Sequence, residues 1–454
     1  MTDPVVRAAA LREAQDIEGA LKAIQLAVAQ APNDPRAVFG LAQLSFESWR
    51  PAADLFARAQ ALVPGNPDIV RNHALALAAE GQDAAAEALM EAALRQAPGW
   101  LDGHRVLAAQ RITSGGDDGF DRSFAEAVKA EPANAAIRML WFQQHSTRKD
   151  WGRARAILQE ARAAIPNHRG LQLAELYLAS ESGEARDDPT LFDAVAELGD
   201  PGLDLCRVRH YLQGRDPERA EAIAVRHIES SQATLFWPYL SLCWRLNDDQ
   251  RAAWLDGDPL YSATYDLDFT GAELAQLAEI LRNLHRMKAP YPEQSVRGGT
   301  QTDRQLFFHP DPLIQKVRAS IAEAIEVYRS HLPTPDPRHP LLGPPRDQPV
   351  HFAGSWSVRL AGGGHHSSHT HVQGWVSSAF YVALPPLEEP MAGQLALGTP
   401  PPELDLPLAP YRHIEPRAGR LVLFPSTLWH CTEPFAEGER LTIAFDVKLP
   451  LVAN

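Results

Sequence analysis

Histidines concentrate late in the chain. His351, His365, His366, His369 and His371 fall within 21 residues, against 17 in all 454. The informative piece is His369-Thr370-His371. On an extended strand, side chains at i and i+2 emerge on one face, so both imidazoles can reach a single metal ion. His430, closing the apolar run GRLVLFPSTLWH, supplies a third ligand. Ten residues on come Arg440 and Thr442, again an i, i+2 pair. Three protein ligands on one side of an iron leave positions open for a bidentate co-substrate and dioxygen. A buried arginine beside a hydroxyl suits the far carboxylate of a 2-oxo diacid, because guanidinium grips a carboxylate in a planar fork. Three histidines with an open position also suit zinc. A binding protein with a structural metal therefore fits the same ligands. So does a three-histidine dioxygenase that needs no co-substrate, although Arg440-x-Thr442 argues against it.

Neighbouring residues read more plainly. His365 and His366 are structural or solvated histidines, and Gly362-Gly363-Gly364 makes a β-turn rather than a phosphate cradle. Trp356, Trp375 and Tyr381 read as core, with the Tyr381 hydroxyl also able to bond the co-substrate. Cys431 falls on the strand face opposite His430.

The elements that must hold these side chains are short strands. SWSVRL, WVSSAFYVALP, QLALG, RLVLFPS and RLTIAFDVKL are β-branched or aromatic and punctuated by Gly and Pro, which predicts an antiparallel sandwich or barrel over 351–454. Upstream, Leu274, Leu277, Leu281 and Leu284 predict one helix, and Ile314, Val317, Ile321, Ile325 and Tyr328 predict a core-facing second. Residues 331–350 hold seven prolines and read as an ordered loop or a flexible cover. Residues 251–350 are thus expected to be helical support for the barrel, within a second domain of 251–454.

The first half has a different period. Pro32, Pro64, Pro98, Pro132 and Pro166 are 32, 34, 34 and 34 residues apart, each closing an Ala/Leu-rich segment. A period near 34 is the mark of stacked helix–turn–helix units. Small residues recur where paired helices must approach. Ala74, Ala86 and Ala93 stand at the eighth, twentieth and twenty-seventh positions of one unit, and Phe142, Ala154 and Ala161 at the same places of another. Register is regular over 16–168 and degenerate to about 250, which predicts a helical domain of 1–250. The concave face of such a solenoid suits a peptide or protein; packing on the next domain, or on a second copy as a homodimer, fits the pattern equally.

Composition narrows the classes. The apolar fraction of 45% and charged fraction of 22% are those of globular proteins. A formal net charge of −14 gives no general attraction for phosphate backbones, so no nucleic-acid partner is expected. Cys206, Cys243 and Cys431 stand far apart, which excludes a disulfide framework or a four-thiolate zinc site. With an acidic residue at position 3, the start MTDPVVRAAALREAQ does not read as a signal peptide, and no long uncharged apolar run predicts a membrane span. A cytoplasmic protein is expected.

The order His369-x-His371, GWVSSAFYV, GRLVLFPSTLWH, Arg440-x-Thr442 resembles the 2-oxoglutarate/Fe(II) oxygenase superfamily on its double-stranded β-helix. The 34-residue units resemble tetratricopeptide repeats. A bacterial group joins such repeats to such a domain, and EQSVRGGTQT (293–302) is similar to a block that group carries just upstream of the barrel. The resemblance implies an α+β multidomain chain: an α-solenoid followed by a C-terminal jelly roll. It further implies Fe(II) on His369, His371 and His430, and 2-oxoglutarate on Arg440, Thr442 and Tyr381. The implied activity is oxygenation of a peptide or protein recruited by the repeats. One departure stands out: the superfamily's usual His-x-Asp/Glu is here His-x-His.

Overall fold

The computed structural model describes residues 3–116, 119–386 and 390–450. Antiparallel helix pairs run from Pro4–Glu13 through Trp151–Ala164. All five periodic prolines lie in the turns between helices, where a missing N–H and a fixed φ cost nothing. Helices restart at side-chain caps: Asp34 Oδ1 accepts from the Arg36 N–H at 2.9 Å, with Pro35 at the first helical position. Asn66 does the same ahead of Pro67. This is the expected chemistry of a helix start, a side-chain oxygen taking an orphan N–H and proline filling the position that needs none. Ala74, Ala86, Phe142, Ala154 and Ala161 are buried and Ala93 is half-buried against the same core, so the spaced residues lie at helix–helix contacts. Phe56, Met90, Leu94 and Leu107 extend one apolar core from repeat to repeat.

Two compact units emerge. One comprises 1–171, 286–293 and 303–315; the other comprises 172–285, 294–302 and 316–454. The helices Pro201–Gln213, Pro217–Ala224 and Ala233–Leu246 belong to the second. Their Trp237, Tyr239 and Trp244 share a core with Leu404 and Trp429, and the Trp429 indole donates to the Pro238 carbonyl at 2.9 Å.

The strands are β1 (Ala263–Asp266), β2 (Val296–Gln301), β3 (Phe352–His366), β4 (Gly374–Ala383), β5 (Leu395–Leu397), β6 (Arg412–Ile414), β7 (Arg420–Pro425), β8 (His430–Thr432) and β9 (Glu439–Lys448). They form two antiparallel sheets, β1-β7-β4-β9-β3-β2 and β6-β5-β8. Ala379, Tyr381, Val422 and Phe424 of the large sheet pack on Leu395, Leu397 and Ile414 of the small one. That is the jelly-roll arrangement the strand pattern predicts. Helix Gly271–Leu284, opened by a Thr270–Glu273 capping box, buries Leu274, Leu277 and Leu281, and Pro312–His331 buries its predicted stripe. The proline-rich segment is ordered: the His339 ring reaches the Trp254 carbonyl, and the Trp375 indole donates to the Leu341 carbonyl. Among the described residues no helix is long and apolar enough to cross a membrane.

His285, just past the helix at 271–284, bridges Thr300 Oγ1 (2.8 Å) and Ser357 Oγ (3.0 Å). Burial pushes its imidazole down from 6.5 to about 4. Below pH 6.5 the unfolded chain takes up a proton that the folded chain refuses until about pH 4. Stability should therefore fall across that window, by at most ~3 kcal/mol from this residue. Urea titrations at several pH values should show His285→Gln losing less stability than wild type between pH 6.5 and 4. Parallel curves would mean the ring does not titrate as burial dictates.

Candidate metal centre

The histidine pair does not stand on a regular strand. After β3 ends at His366 the chain runs irregularly to β4, and His369 makes a single bridge with His430, each N–H donating to the other's carbonyl at 3.1 Å. The His371 N–H donates to the Ser426 carbonyl at 2.9 Å. The run ending in His430 is also broken: β7 stops at Pro425, a turn follows, and β8 opens at His430. Both rings still reach one point, His369 held by its bridge to His430 and His371 by its N–H to Ser426, without a continuous ladder.

The three rings converge. Centroids are 4.2 Å apart for His369 and His430, 5.0 Å for His369 and His371, and 5.1 Å for His371 and His430. One ring nitrogen from each lies within 4.8 Å of the other two. Hydrogen bonding decides which nitrogen. His369 Nδ1 faces the Ser367 carbonyl (2.8 Å), His430 Nδ1 the Leu428 carbonyl (3.0 Å), and His371 Nδ1 the carboxylate of Asp446 (2.6 Å). Carbonyls and carboxylates only accept, so each Nδ1 carries a proton and Nε2 is the nitrogen each ring has left to offer a metal. Burial, then the adjacent imidazole, holds His369 down to about 3, and His430 lies well below its ordinary value for the same reasons. Both rings are therefore neutral near pH 7, the form that can coordinate. Ser295 Oγ stands 3.1 Å from His369 Nε2 and 2.8 Å from His366 Nδ1.

Arg440 and Thr442 lie on β9 in the middle of the large sheet, both buried, with Thr442 paired across to Tyr381 on β4. The Arg440 guanidinium carbon is 5.1 Å from the Tyr381 ring centroid. Burial lowers the Arg440 pKa and raises that of Tyr381, and no well-formed hydrogen bond reaches Arg440 Nε or the Tyr381 hydroxyl. Native interiors rarely strand polar atoms. Here a buried guanidinium and a buried hydroxyl face each other, each with an atom short of a well-formed partner, as a cradle for an anionic ligand requires. Three converging ring nitrogens and a buried arginine whose Nε lacks a partner fit iron and a dicarboxylate co-substrate.

Residues 354–446 match the family model described as "Putative 2OG-Fe(II) oxygenase". The chain carries a 2OG-Fe(II) oxygenase-like domain. Among solved structures, this chain is similar to a prolyl-4-hydroxylase from Pseudomonas putida, at 18% identity over 42% of this chain and 94% of that one, with a TM-score of 0.29. A 2OG-Fe(II) oxygenase family oxidoreductase from Burkholderia pseudomallei matches at 12% identity, 42% and 85% coverage, and TM-score 0.29. A tetratricopeptide repeat protein from Parabacteroides merdae matches at 13% identity, 54% and 98% coverage, and TM-score 0.34. No curated protein matches the chain.

Sequence reasoning misses three polar residues of the oxygenase-like domain. Asp446 was legible in principle: Arg440, Thr442 and Asp446 share strand parity, so a carboxylate was due on the face that carries the other two. Ser377 and Ser295 carry no such signal, since serine is common in strands and loops alike. His366, read as structural, keeps its ring 5.6 Å from that of His369, while Cys431 alternates with buried His430 and Thr432 as expected.

Proposed function

We propose that the C-terminal domain is a working oxygenase: His369, His371 and His430 hold Fe(II) through Nε2, Arg440 with Thr442 and Tyr381 holds the far carboxylate of 2-oxoglutarate, and a peptide or protein is oxidised. The observation that carries this reading is the convergence of the three rings, each with its Nδ1 turned to an oxygen acceptor and its Nε2 left for a metal. Iron with bound 2-oxoglutarate would supply dioxygen activation, in which decarboxylation to succinate and carbon dioxide accompanies transfer of one oxygen atom into a substrate C–H bond. The protein's own part is placement. The carbonyls of Ser367 and Leu428 hold two rings from two residues away, so little reorganisation accompanies loading. Arg440 stays charged in a dry site where a fork on carboxylate is worth far more than in water.

The peptide substrate draws support from the repeats. A cleft of about 250 Å³ there is lined by Glu91, Arg95, His104, Arg111 and Arg122. Buried Arg111 binds Glu87 and Glu91 yet keeps Nη1 without a partner. Mixed charge along the cleft suits an extended peptide with polar side chains.

Anaerobic addition of Fe(II) and then 2-oxoglutarate to the full chain should raise a saturable visible charge-transfer band. Metal binding without that band would sink the oxygenase reading and leave a binding protein with a structural metal.

A further inference from the structure

The site has no carboxylate among its three candidate ligands, yet a carboxylate stands directly behind one of them. Asp446 Oδ1 accepts from His371 Nδ1 at 2.6 Å and from Ser377 Oγ at 2.6 Å, and Ser377 Oγ lies 2.9 Å from Ser426 Oγ. Asp446 is only 8% exposed, on the central strand β9, where it pairs with Gly354 on one side and Ser377 on the other. Among the described residues its ion-pair contact is with His371, not with a lysine or arginine. Burying a carboxylate in a sheet is expensive, and one partnered by a histidine and a serine is a poor way to stabilise a fold. The surroundings are shaped to admit it. A Cβ on Gly374 would lie 2.5 Å from Ser426 Oγ and 3.0 Å from the Asp446 Cβ, so a side chain there would push the carboxylate's neighbours apart.

We propose that Asp446 is a positioning residue for the metal, fixing the tautomer and orientation of His371 and returning, one imidazole further out, the negative charge that His-x-Asp/Glu would have supplied directly. The inference rests on the reading of His371 as a ligand. A carboxylate on the far nitrogen makes the near one a better donor and holds the ring where the metal needs it. His371 and Asp446 then act as one extended anionic ligand, reaching across 75 residues of sequence.

Binding of cobalt(II) to the full chain, followed by competition titration and by visible d–d absorption, tests this without turnover. Wild type should bind one equivalent. Asp446→Asn, nearly isosteric, should bind roughly 10- to 100-fold more weakly, with an altered d–d spectrum. Ser377→Ala should move affinity the same way by less. His371→Asp places a carboxylate in the ligand position itself and should still bind. In that background Asp446→Asn should no longer weaken binding, because no ring remains to be held and two neighbouring carboxylates repel. Equal losses from Asp446→Asn in both backgrounds would mark Asp446 as merely structural and overturn the inference. So would wild-type affinity in Asp446→Asn, or, if that variant does not fold, wild-type affinity in Ser377→Ala. Failure of wild type to bind cobalt(II) or Fe(II) at all would instead remove the three-histidine reading, and the inference with it.

Discussion

Replacing His430 by alanine should abolish stoichiometric Fe(II) binding, measured anaerobically by equilibrium dialysis, while the circular dichroism spectrum stays that of wild type. The loss should far exceed the roughly 10- to 100-fold that an outer hydrogen bond is worth, because a ligand rather than its support has gone. The fold should survive because the His369–His430 bridge is made by backbone atoms on both sides, which alanine retains. His369→Ala should behave alike. If both variants bind iron as wild type does, the centre lies elsewhere, and His366, whose ring stacks 5.6 Å from that of His369, is the next ligand to test.

The second large effect belongs to Arg440. Arg440→Gln should weaken 2-oxoglutarate binding by roughly thirtyfold or more, since losing one partner of a buried charge-assisted pair costs on the order of 2–5 kcal/mol. Iron affinity should barely change, because guanidinium is no ligand. Thr442→Val should weaken the co-substrate in the same direction but less, having lost a hydrogen bond and not a charge. Structure adds a second readout. Arg440 is 2% exposed, with Nε unpartnered, so without co-substrate it is a buried cation short of acceptors. Arg440→Gln should therefore melt no lower than wild type when 2-oxoglutarate is absent, yet gain almost nothing when it is added with iron. A variant that melts far lower, or binds the co-substrate as tightly as wild type, would contradict the role given to this side chain.

The repeats were legible because their information is local and redundant. A proline every 34 residues and alanines at fixed places restate one packing rule several times, and the structure puts the prolines in turns and most of the alanines in the core. The strands were legible as elements but not as partners. Nothing in RLVLFPSTLWH shows that Pro425 ends one strand and that a turn delivers His430 to a different sheet. The helices between Pro201 and Leu246 look like worn repeats by composition. Only in three dimensions does Trp429 meet Tyr239 and the Pro238 carbonyl, the latter 191 residues away in the chain. The histidines could be chosen from spacing and order. Asp446 could not be attached to His371, because that contact depends on which two strands flank β9.

The three rings are held on unequal terms. His369 and His430 take their bearings from carbonyls two residues upstream, atoms that every amino acid possesses, so neither anchor depends on the chemical identity of the side chain at 367 or 428. His371 depends on a side chain in another strand, which a single base change can remove. Position 446 is tied to 371 only while 371 is an imidazole: a carboxylate at 371 would leave 446 without a ring to hold, whereas losing the carboxylate at 446 leaves the ring unheld. The departure from the usual motif is in that sense a two-site character, with 377 and 374 as the ground on which it can be inherited.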